Sequence, residues 1–303
     1  MSDDEPYHDG ERAVQERAGV RAAARKIGRV IGDAITPAVA EFLARRITLY
    51  VGSIDAAGRV WASQLTGPPG FVTASDAHTV RIDAGVEPGD PLRDDGTAGA
   101  RLALLALDPA TRRRVRVNGR VERADRGEIV LRVRETFGNC PKYIQAREPV
   151  AVEDAAARPV ERGARLTPAA RALVARADTA FLASAHPEAG ADVSHRGGTP
   201  GFIRVEDDRT LAWGDYQGNM MFQSLGNLAV DARAGLLIVD FDGTSTLQLT
   251  GTAVVDWSVE RAERIPGAQR VVEYRVDEVV ENPRGNPIRW RLLEPSPHNP
   301  ARA

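Results

Sequence analysis

The sequence predicts a mainly β protein with flanking helices, built as two small β-barrels in tandem behind an N-terminal helical arm. From residue 47 onward, short apolar and β-branched runs alternate with Gly, Pro and Asp, which is typical of short strands joined by turns. Motifs of the first half recur in the same order in the second half. The 303 residues also exceed the roughly 100 to 200 of one domain. Two related modules account for all three observations.

Composition narrows the classes of function. Lys plus Arg number 40 against 42 Asp plus Glu, a net charge of −2, so bulk charge favours neither nucleic acid nor an anionic membrane as a partner. The longest apolar runs fall far short of the ~20 residues of a membrane-spanning helix. The single cysteine, Cys140, excludes an intrachain disulfide within this sequence. One cysteine and an acidic start unlike a signal peptide predict a cytoplasmic protein.

The first half begins with the arm, residues 1–46, in which apolar residues recur at helical spacing from Ala13 and Pro37 suits the first turn of a helix. Residues 47–149 follow as the first module. Its predicted strands are Ile47–Ile54, Val60–Leu65, Gly70–Val72, Thr79–Ile82, Leu102–Leu107, Val115–Val121 and Ile129–Val133. Such short strands separated by turn residues are typical of a small barrel.

The second half begins with a predicted linker, residues 150–178, which is rich in Ala, Arg, Pro and acidic residues and leads into a helix over Pro168–Arg176. Residues 179–303 form the second module. Its predicted strands are Ala180–Ser184, Val193–Ser194, Gly201–Val205, Thr210–Trp213, Gly235–Phe241, Thr246–Val255 and Val271–Val280. A further helix is predicted within Asp215–Leu228, beginning near Gly218.

An internal duplication relates the two modules. The pattern G-x-P-G-F occurs at Gly67–Phe71 and again at Gly198–Phe202. Gly201 follows Gly70 by 131 residues, and Gly251 follows Gly119 by 132, so the spacing is nearly constant. This period is far too long for a solenoid or propeller blade, so each copy is predicted to be a whole barrel.

Several short motifs of the second half occur together in a characteristic order. They are His186–Glu188, Asp192–Gly198, Pro200–Val205, Asp215–Phe222, Ser224–Leu228, Gly235–Leu237 and Leu247–Gly251. In these motifs the sequence resembles the pyridoxamine 5′-phosphate oxidase-like superfamily of flavin-binding split barrels. The first half is similar to the N-terminal part of longer, two-module members, through Trp61–Ser63, Gly67–Phe71 and Gly138–Gln145. The resemblance implies two tandem split barrels, a fold that is usually dimeric and binds FMN in a cleft between two barrels.

An FMN site needs hydrogen-bond donors around its phosphate, and two segments offer them. The helix predicted from Gly218 would present free backbone N–H groups and a positive dipole end, although an ordinary helix cap explains Asn219 or Asp215 equally well. Arg196 stands at a strand end before Gly197, where its guanidinium could hold a phosphate through two bonds. A surface arginine in a hairpin is the alternative.

Other residues suit the rest of a flavin. Neighbouring Ser194 and His195 face opposite sides of a strand, so only one of them can line the cleft comfortably. Trp213 and Tyr216 would cover a flavin face or fill the core, and Gln248 would bond a ring carbonyl or face solvent. The predicted cofactor-binding residues are Ser194, His195, Arg196, Gly197, Trp213, Tyr216, Gly218, Asn219, Met220, Gln223 and Gln248. The first module has Ser63-Gln64-Leu65 in place of Ser194-His195-Arg196, which indicates a degenerate ligand site there.

Three further features of the sequence have their own interpretations. Arg114, Arg116 and Arg120 share one strand face, interpreted as a solvated surface or a contact with the neighbouring module. Cys140 is interpreted as structural, although nearby Lys142 could lower its thiol pKa. The five histidines show no metal-binding spacing, so no metal site is predicted.

These observations predict an FMN-binding flavoprotein, an oxidoreductase of the pyridoxamine 5′-phosphate oxidase-like group, whose catalytic residues, small-molecule substrate and electron donor the sequence does not identify. A flavin would carry the redox chemistry, so no obvious catalytic acid or base is required. The alternatives are a reductase that uses deazaflavin F420 and a flavin- or haem-binding protein without turnover. A homodimer is a further expectation, and neither nucleic acid nor membrane is an expected partner.

Overall fold

A computed structural model of the protein describes residues 5–125, 127–152 and 159–300. The first four residues of the predicted arm and residues 153–158 of the predicted linker lie outside the described residues. Among the described residues, no helix is both long and apolar enough to cross a membrane.

The chain before residue 153 contains the helices of the arm and the strands of the first module. The helices of the arm are α1 (Asp9–Arg17), α2 (Arg21–Gly28) and α3 (Pro37–Ala44). The strands are β1 (Thr48–Ile54), β2 (Val60–Thr66), β3 (Val72–Asp76), β4 (Thr79–Asp83), β5 (Arg101–Asp108), β6 (Arg113–Asp125), β7 (Glu128–Gly138) and β8 (Ala146–Val152), with the short helix α4 (Leu92–Asp95) between β4 and β5. The third predicted strand begins at Val72 rather than Gly70, because Gly70 occupies a turn with φ +95°.

The rest of the described chain continues the same alternation. The helices are α5 (Pro168–Arg176), α6 (Gln223–Val230) and α7 (Val259–Ala262). The strands are β9 (Glu161–Gly163), β10 (Thr179–His186), β11 (Gly190–Gly197), β12 (Ile203–Val205), β13 (Thr210–Asp215), β14 (Arg233–Val239), β15 (Thr246–Asp256), β16 (Arg270–Asn282) and β17 (Ile288–Glu294).

The two modules have the same strand order. The first sheet runs β2-β1-β5-β6-β7-β4-β3, and the second runs β11-β10-β14-β15-β16-β13-β12. When β10 to β16 are matched in sequence order to β1 to β7, the two orders are identical. The preceding helices match as well, since α3 and α5 each begin with a proline behind a capping threonine, Thr36 or Thr167. The mainly β, two-barrel fold class predicted from sequence is therefore confirmed.

A matching irregularity marks the long central strand of each module. The pairing register shifts between Asn118 and Gly119 in β6 and between Thr250 and Gly251 in β15. At each bulge a neighbouring carbonyl crosses so close to the glycine that an added Cβ would collide with it. The glycines that defined the sequence repeat are thus required by the same backbone geometry in both copies.

We expect Gly119→Ala and Gly251→Ala to destabilise the protein by similar amounts, about 1 to 3 kcal/mol each. The added methyl groups would overlap the carbonyl oxygens of Arg132 and Arg275, respectively. Denaturant unfolding measures both effects, and Gly85→Ala is the control because no described atom lies within 4 Å of its added Cβ. Destabilisation by one substitution alone would show that the two bulges are not equivalent.

An apolar interface joins the modules through strands β1, β2 and β5 of the first sheet and β10, β11 and β14 of the second. Tyr50 stacks on Phe181 with ring centroids 3.5 Å apart. A Cβ on Gly235 would lie 2.7 Å from Cα of Trp61, so the two backbones approach closely there. Each module keeps a separate apolar core on its other side. Because this interface holds the two modules together, it also sets the positions of the polar residues at the ends of the facing strands.

A two-stranded sheet in which β8 pairs with β17 was not predicted from the sequence. Both strands carry many charged residues, β8 includes Pro149, and most of their side chains are exposed or half-buried. Strand β8 therefore lacks apolar alternation, whereas Ile288-Arg289-Trp290-Arg291-Leu292 in β17 does alternate, a strand signal that was overlooked. This pairing joins the end of the first predicted module to the C-terminal part of the second, and the predicted module limits stay predictions.

Candidate functional site

A cleft between the two modules contains two adjacent chambers that share lining residues. The outer chamber has a volume of about 340 Å³, and the inner chamber has about 90 Å³. Strand β6 of the first module forms one wall, and β11, β13 and the loop 216–222 of the second module form the other. Six residues line both chambers: Arg116, Arg196, Asp215, Tyr216, Gly218 and Asn219. The cleft thus needs both modules.

The loop 216–222 leads into helix α6, which starts later in the sequence than predicted. Helix α6 begins at Gln223, not near Gly218, because Met220 and Phe222 adopt left-handed backbone conformations with φ +65° and +62°. Gln15 of the arm holds this loop by donating a 2.9 Å hydrogen bond to the carbonyl of Met221. The prediction of helical N–H groups at Gly218–Met221 is therefore wrong, and loop backbone lines the chamber instead.

Two arginines share one carboxylate at the boundary of the chambers. Arg196 Nη1 lies 3.2 Å from Asp215 Oδ1, and Arg270 Nε lies 3.3 Å from Asp215 Oδ2. Arg270 is only 4% exposed, its guanidinium lies over the rings of Phe222 and Trp257, and its buried Nη1 has no hydrogen-bond partner among the described residues. Arg196 Nε is likewise buried and unpartnered within that part of the chain. This cluster carries more positive than negative charge.

A second ion pair crosses the module boundary. Arg116 Nη1 donates to both carboxylate oxygens of Asp192, at 2.9 and 3.0 Å. Ser224 also donates to Asp192, and Ser194 bonds to Ser224 at 2.6 Å. Predicted site residue Ser194 thus lies behind the chamber wall. Of the two interpretations of the arginine stripe, contact with the neighbouring module is correct for Arg116, whereas Arg120 is exposed.

His195 faces the inner chamber and is 6% exposed. Desolvation, together with Arg114 and Arg196, lowers the pKa of this imidazole well below its usual value, so the ring is neutral at neutral pH. Neither ring nitrogen has a hydrogen-bond partner in the described part of the chain. Gly197 also lines this chamber, where a Cβ would collide with the carbonyl of Tyr143.

The remaining predicted residues separate into three places. Tyr216, Gly218 and Asn219 line both chambers, whereas Met220 and Gln223 line only the outer one. Trp213 belongs to the core of the second module and also lines the inner chamber, and its buried Nε1 has no hydrogen-bond partner among the described residues. Arg114, Arg116 and Arg270 were not predicted as site residues, because only the packing of β6 and β16 brings these arginines to Arg196.

Gln248 lies outside the cleft that the other residues form. It is fully buried and donates to the carbonyl of Ala62, to Ser63 and to Asp90. Ser63 corresponds to Ser194 in the duplication, so this network lies at the counterpart of the cleft. Burial raises the pKa of Asp90 to about 6. Gln248 and Asp90 thus occupy the position beside Ser63 that corresponds to the cleft beside Ser194. The prediction that Gln248 lines the flavin site is wrong, because Gln248 lines neither chamber.

The N-terminal arm covers one side of the cleft. Helix α1 crosses α6 where Gly10 meets Gly226, and a Cβ on either glycine would collide with the other helix. Ala18 and Val20, between α1 and α2, line the outer chamber. At the start of α1, the His8 ring lies against the His186 ring, tilted by 33° with centroids 4.1 Å apart, and His8 bonds to Asn227 at 2.9 Å.

Two histidines and a carboxylate at this contact lie close enough to resemble a metal site: His8, Asp9 and His186. The backbone N–H groups of Glu188 and Ala189 both donate to Nδ1 of His186, and its Nε2 lies 3.1 Å from Asp9 Oδ1. The Nδ1 lone pair is thus already used by two donors and is not free for a metal.

We expect the arm to stabilise the protein less as the pH falls. Desolvation, and secondarily His186, lower the pKa of His8 to about 4, so the folded state holds a neutral ring that the unfolded state protonates below about 6.5. The contribution is complete above pH 6.5 and is lost as the pH falls towards 4. Denaturant unfolding between pH 4 and 7 measures this slope. His8→Asn should flatten it, and an unchanged slope would contradict the assignment.

A comparison with known protein families matched one part of the chain. Residues 166–289 match the family described as pyridoxamine 5′-phosphate oxidase. No curated protein matches the chain.

Similar solved structures each cover one part of the chain. A variant of HupZ from Group A Streptococcus is 16% identical, covers 39% of this chain and 99% of its own, and has a TM-score of 0.32. A putative pyridoxamine 5′-phosphate oxidase from Lactobacillus delbrueckii is 19% identical over 38% of this chain and 93% of its own, with a TM-score of 0.32. A Clostridium acetobutylicum protein related to general stress protein 26 of B. subtilis is 9% identical over 40% and 90%, with a TM-score of 0.31.

The family match spans α5 to the start of β17, and the same segment contains the motifs, the repeated strand order and one wall of the cleft. Residues 166–289, most of the second module, thus match the pyridoxamine 5′-phosphate oxidase family, and the first module repeats the strand order of the second.

Proposed function

We propose that this protein binds FMN in the outer chamber and is an oxidoreductase of the pyridoxamine 5′-phosphate oxidase-like group. The main support is that Arg196 and Arg270 share the single carboxylate of Asp215. Both arginines also have buried N–H groups without a partner among the described residues. A buried, uncompensated cation is costly unless an anion binds beside it. The dianionic phosphate of FMN supplies such a charge.

The chamber also suits the rest of the molecule. Its volume of about 340 Å³ lies in the 300 to 1,000 Å³ range of small-molecule sites. Tyr216, Phe222 and Trp257 contribute aromatic surface, and Asn219 and Gln223 contribute polar groups. In this proposal the binding residues from the predicted set are Arg196, Tyr216, Gly218, Asn219, Met220 and Gln223, together with Arg270.

FMN, when bound, would supply the redox chemistry. The protein would bind its phosphate through Arg196 and Arg270, orient its ring against the aromatic wall and limit water access through the arm at Ala18 and Val20. The neutral His195 can donate one hydrogen bond without adding charge. With one cysteine in the sequence, we place this activity in a reducing cytoplasm.

We expect the purified protein to be yellow, or to become yellow on adding FMN, with one flavin per chain or fewer. We expect no second flavin because Asp90 and Gln248 occupy the position beside Ser63 that corresponds to the cleft. Calorimetric titration measures the stoichiometry, and no binding at millimolar FMN would disprove the cofactor assignment. Absorption spectra distinguish FMN from F420 and haem, and oxidation of a reduced nicotinamide distinguishes an enzyme from a carrier.

A further inference from the structure

The inner chamber contains two cations that the flavin assignment leaves unused. Arg114 and Lys142 line this chamber but not the outer one. Within residues 5–125, 127–152 and 159–300, neither has a carboxylate at salt-bridge distance, whereas Arg116 pairs with Asp192 and Arg196 pairs with Asp215. Arg114 instead lies 4.0 Å from the sulfur of Cys140. The chamber therefore has a surplus of positive charge.

Polar groups without partners surround these cations. Both ring nitrogens of His195, Nε1 of Trp213, Nε of Arg114 and both side-chain atoms of Asn139 are buried with no hydrogen-bond partner in the three described ranges. His195 and Trp213 are 6% and 1% exposed, so bulk water does not solvate them. Buried polar groups are normally paired, and the unpaired N–H groups among them, on Arg114, His195, Trp213 and Asn139, indicate a ligand with several acceptor atoms.

The wall that carries these groups is held rigidly. Tyr143 has a left-handed backbone, φ +67°, and its carbonyl lies against Gly197. The side chain of Gln145 donates to the carbonyls of Tyr143 and Gly198 and accepts a hydrogen bond from the backbone N–H of Ser296. This segment is fixed between the second module and the C-terminal residues, so its donors are preorganised.

Size and charge define the ligand class. A volume of about 90 Å³ exceeds the space of one water and is far below the ~300 Å³ of a cofactor-sized pocket. Desolvation, and then Arg116, lower the pKa of Arg114 to about 10, so the guanidinium remains charged at neutral pH. A small anion with several oxygen acceptors satisfies both the charge and the unpartnered donors.

We propose that the inner chamber is a binding site for a small oxyanion, a carboxylate, phosphate or sulfate group, separate from the site of the flavin phosphate. Arg114 and Lys142 of the first module bind the charge, and His195 and Trp213 of the second module donate to its oxygens. The site does not depend on FMN, so it is tested with and without the flavin.

The single cysteine provides the readout, because half-buried Cys140 lines this chamber. The rate of Cys140 alkylation by the neutral reagent iodoacetamide is measured while inorganic phosphate is titrated, with sodium chloride at matched ionic strength as the salt control. Phosphate should slow alkylation by a saturable factor that chloride does not reproduce. Equal effects of the two salts would overturn the proposal.

Variants identify the residues that bind the anion. Arg114→Gln and Lys142→Gln should each weaken phosphate protection about tenfold, the loss expected for one charge-assisted hydrogen bond. Arg113→Gln is the matched control, because Arg113 precedes Arg114 on β6 and is exposed. Because Lys142 is only half-buried, the Lys142→Gln variant still tests the site if the Arg114→Gln variant folds poorly. Equal weakening by all three substitutions would overturn the proposal.

Repeating the phosphate titration with bound FMN distinguishes the oxyanion site from the flavin site. Phosphate protection should persist, with the same saturation midpoint, when the protein is loaded with FMN. If FMN itself protects Cys140 and competes with phosphate, the inner chamber holds the flavin phosphate and the separate site is disproved. Phosphate protection in a protein that binds no FMN would confirm this site while disproving the flavin assignment.

Discussion

Asp192→Ala should lower the free energy of unfolding by about 3 to 5 kcal/mol, the cost of leaving one member of a buried ion pair uncompensated. The side chains of Arg116 and Asp192 are 8% and 5% exposed, and their contact joins β6 of the first module to β11 of the second. Without the carboxylate, the Arg116 guanidinium would remain buried beside Arg114 and Arg196. Urea unfolding monitored by circular dichroism measures the loss.

An exposed ion pair provides the control for burial. Arg165 and Asp208 lie 2.7 Å apart with side chains 64% and 39% exposed, so Asp208→Ala should cost about 0 to 1 kcal/mol. Combining Asp192→Leu with Arg116→Met should recover most of the loss, since removal of both charges leaves none unpaired. Similar costs for Asp192→Ala and Asp208→Ala would contradict the buried interface.

Arg196→Ala should weaken FMN binding about tenfold to a hundredfold, because one charge-assisted contact with the phosphate is worth about 1.5 to 3 kcal/mol. The strand β11 ends at Gly197, so Arg196 projects at the boundary of both chambers, 3.2 Å from Asp215. The remaining Arg270 still balances Asp215, which preserves the fold of the wall. Fluorescence titration of FMN measures the change.

Riboflavin lacks the phosphate and should bind wild type and the Arg196 variant almost equally. Arg204→Ala is the matched protein control, because this exposed arginine of β12 donates to the carbonyl of Arg264 and lies outside both chambers. Unchanged FMN affinity in the Arg196 variant would place the phosphate elsewhere, and an equal loss for riboflavin would indicate a general defect of the chamber.

Local signals were sufficient for most individual elements. Helix α5 has the predicted limits, since Thr167 caps it and Pro168 fits its first turn. The start of α6 was not predictable, because the left-handed conformations of Met220 and Phe222 depend on the packing of their loop against Gln15, far away in the sequence. Helical periodicity carries no record of such a distant contact.

The sequence by itself determined the two-module architecture, because duplicated turn and bulge glycines such as Gly119 and Gly251 require the same backbone geometry in each copy. It also placed Arg196 at a strand end. Only the tertiary structure decided which residues share a cleft. In it Arg116 and Arg270 lie beside Arg196, whereas Gln248 lies outside the cleft and bonds to Asp90. The physical reason is that strand alternation fixes which face a side chain occupies, whereas the packing of one module on the other decides what that face meets.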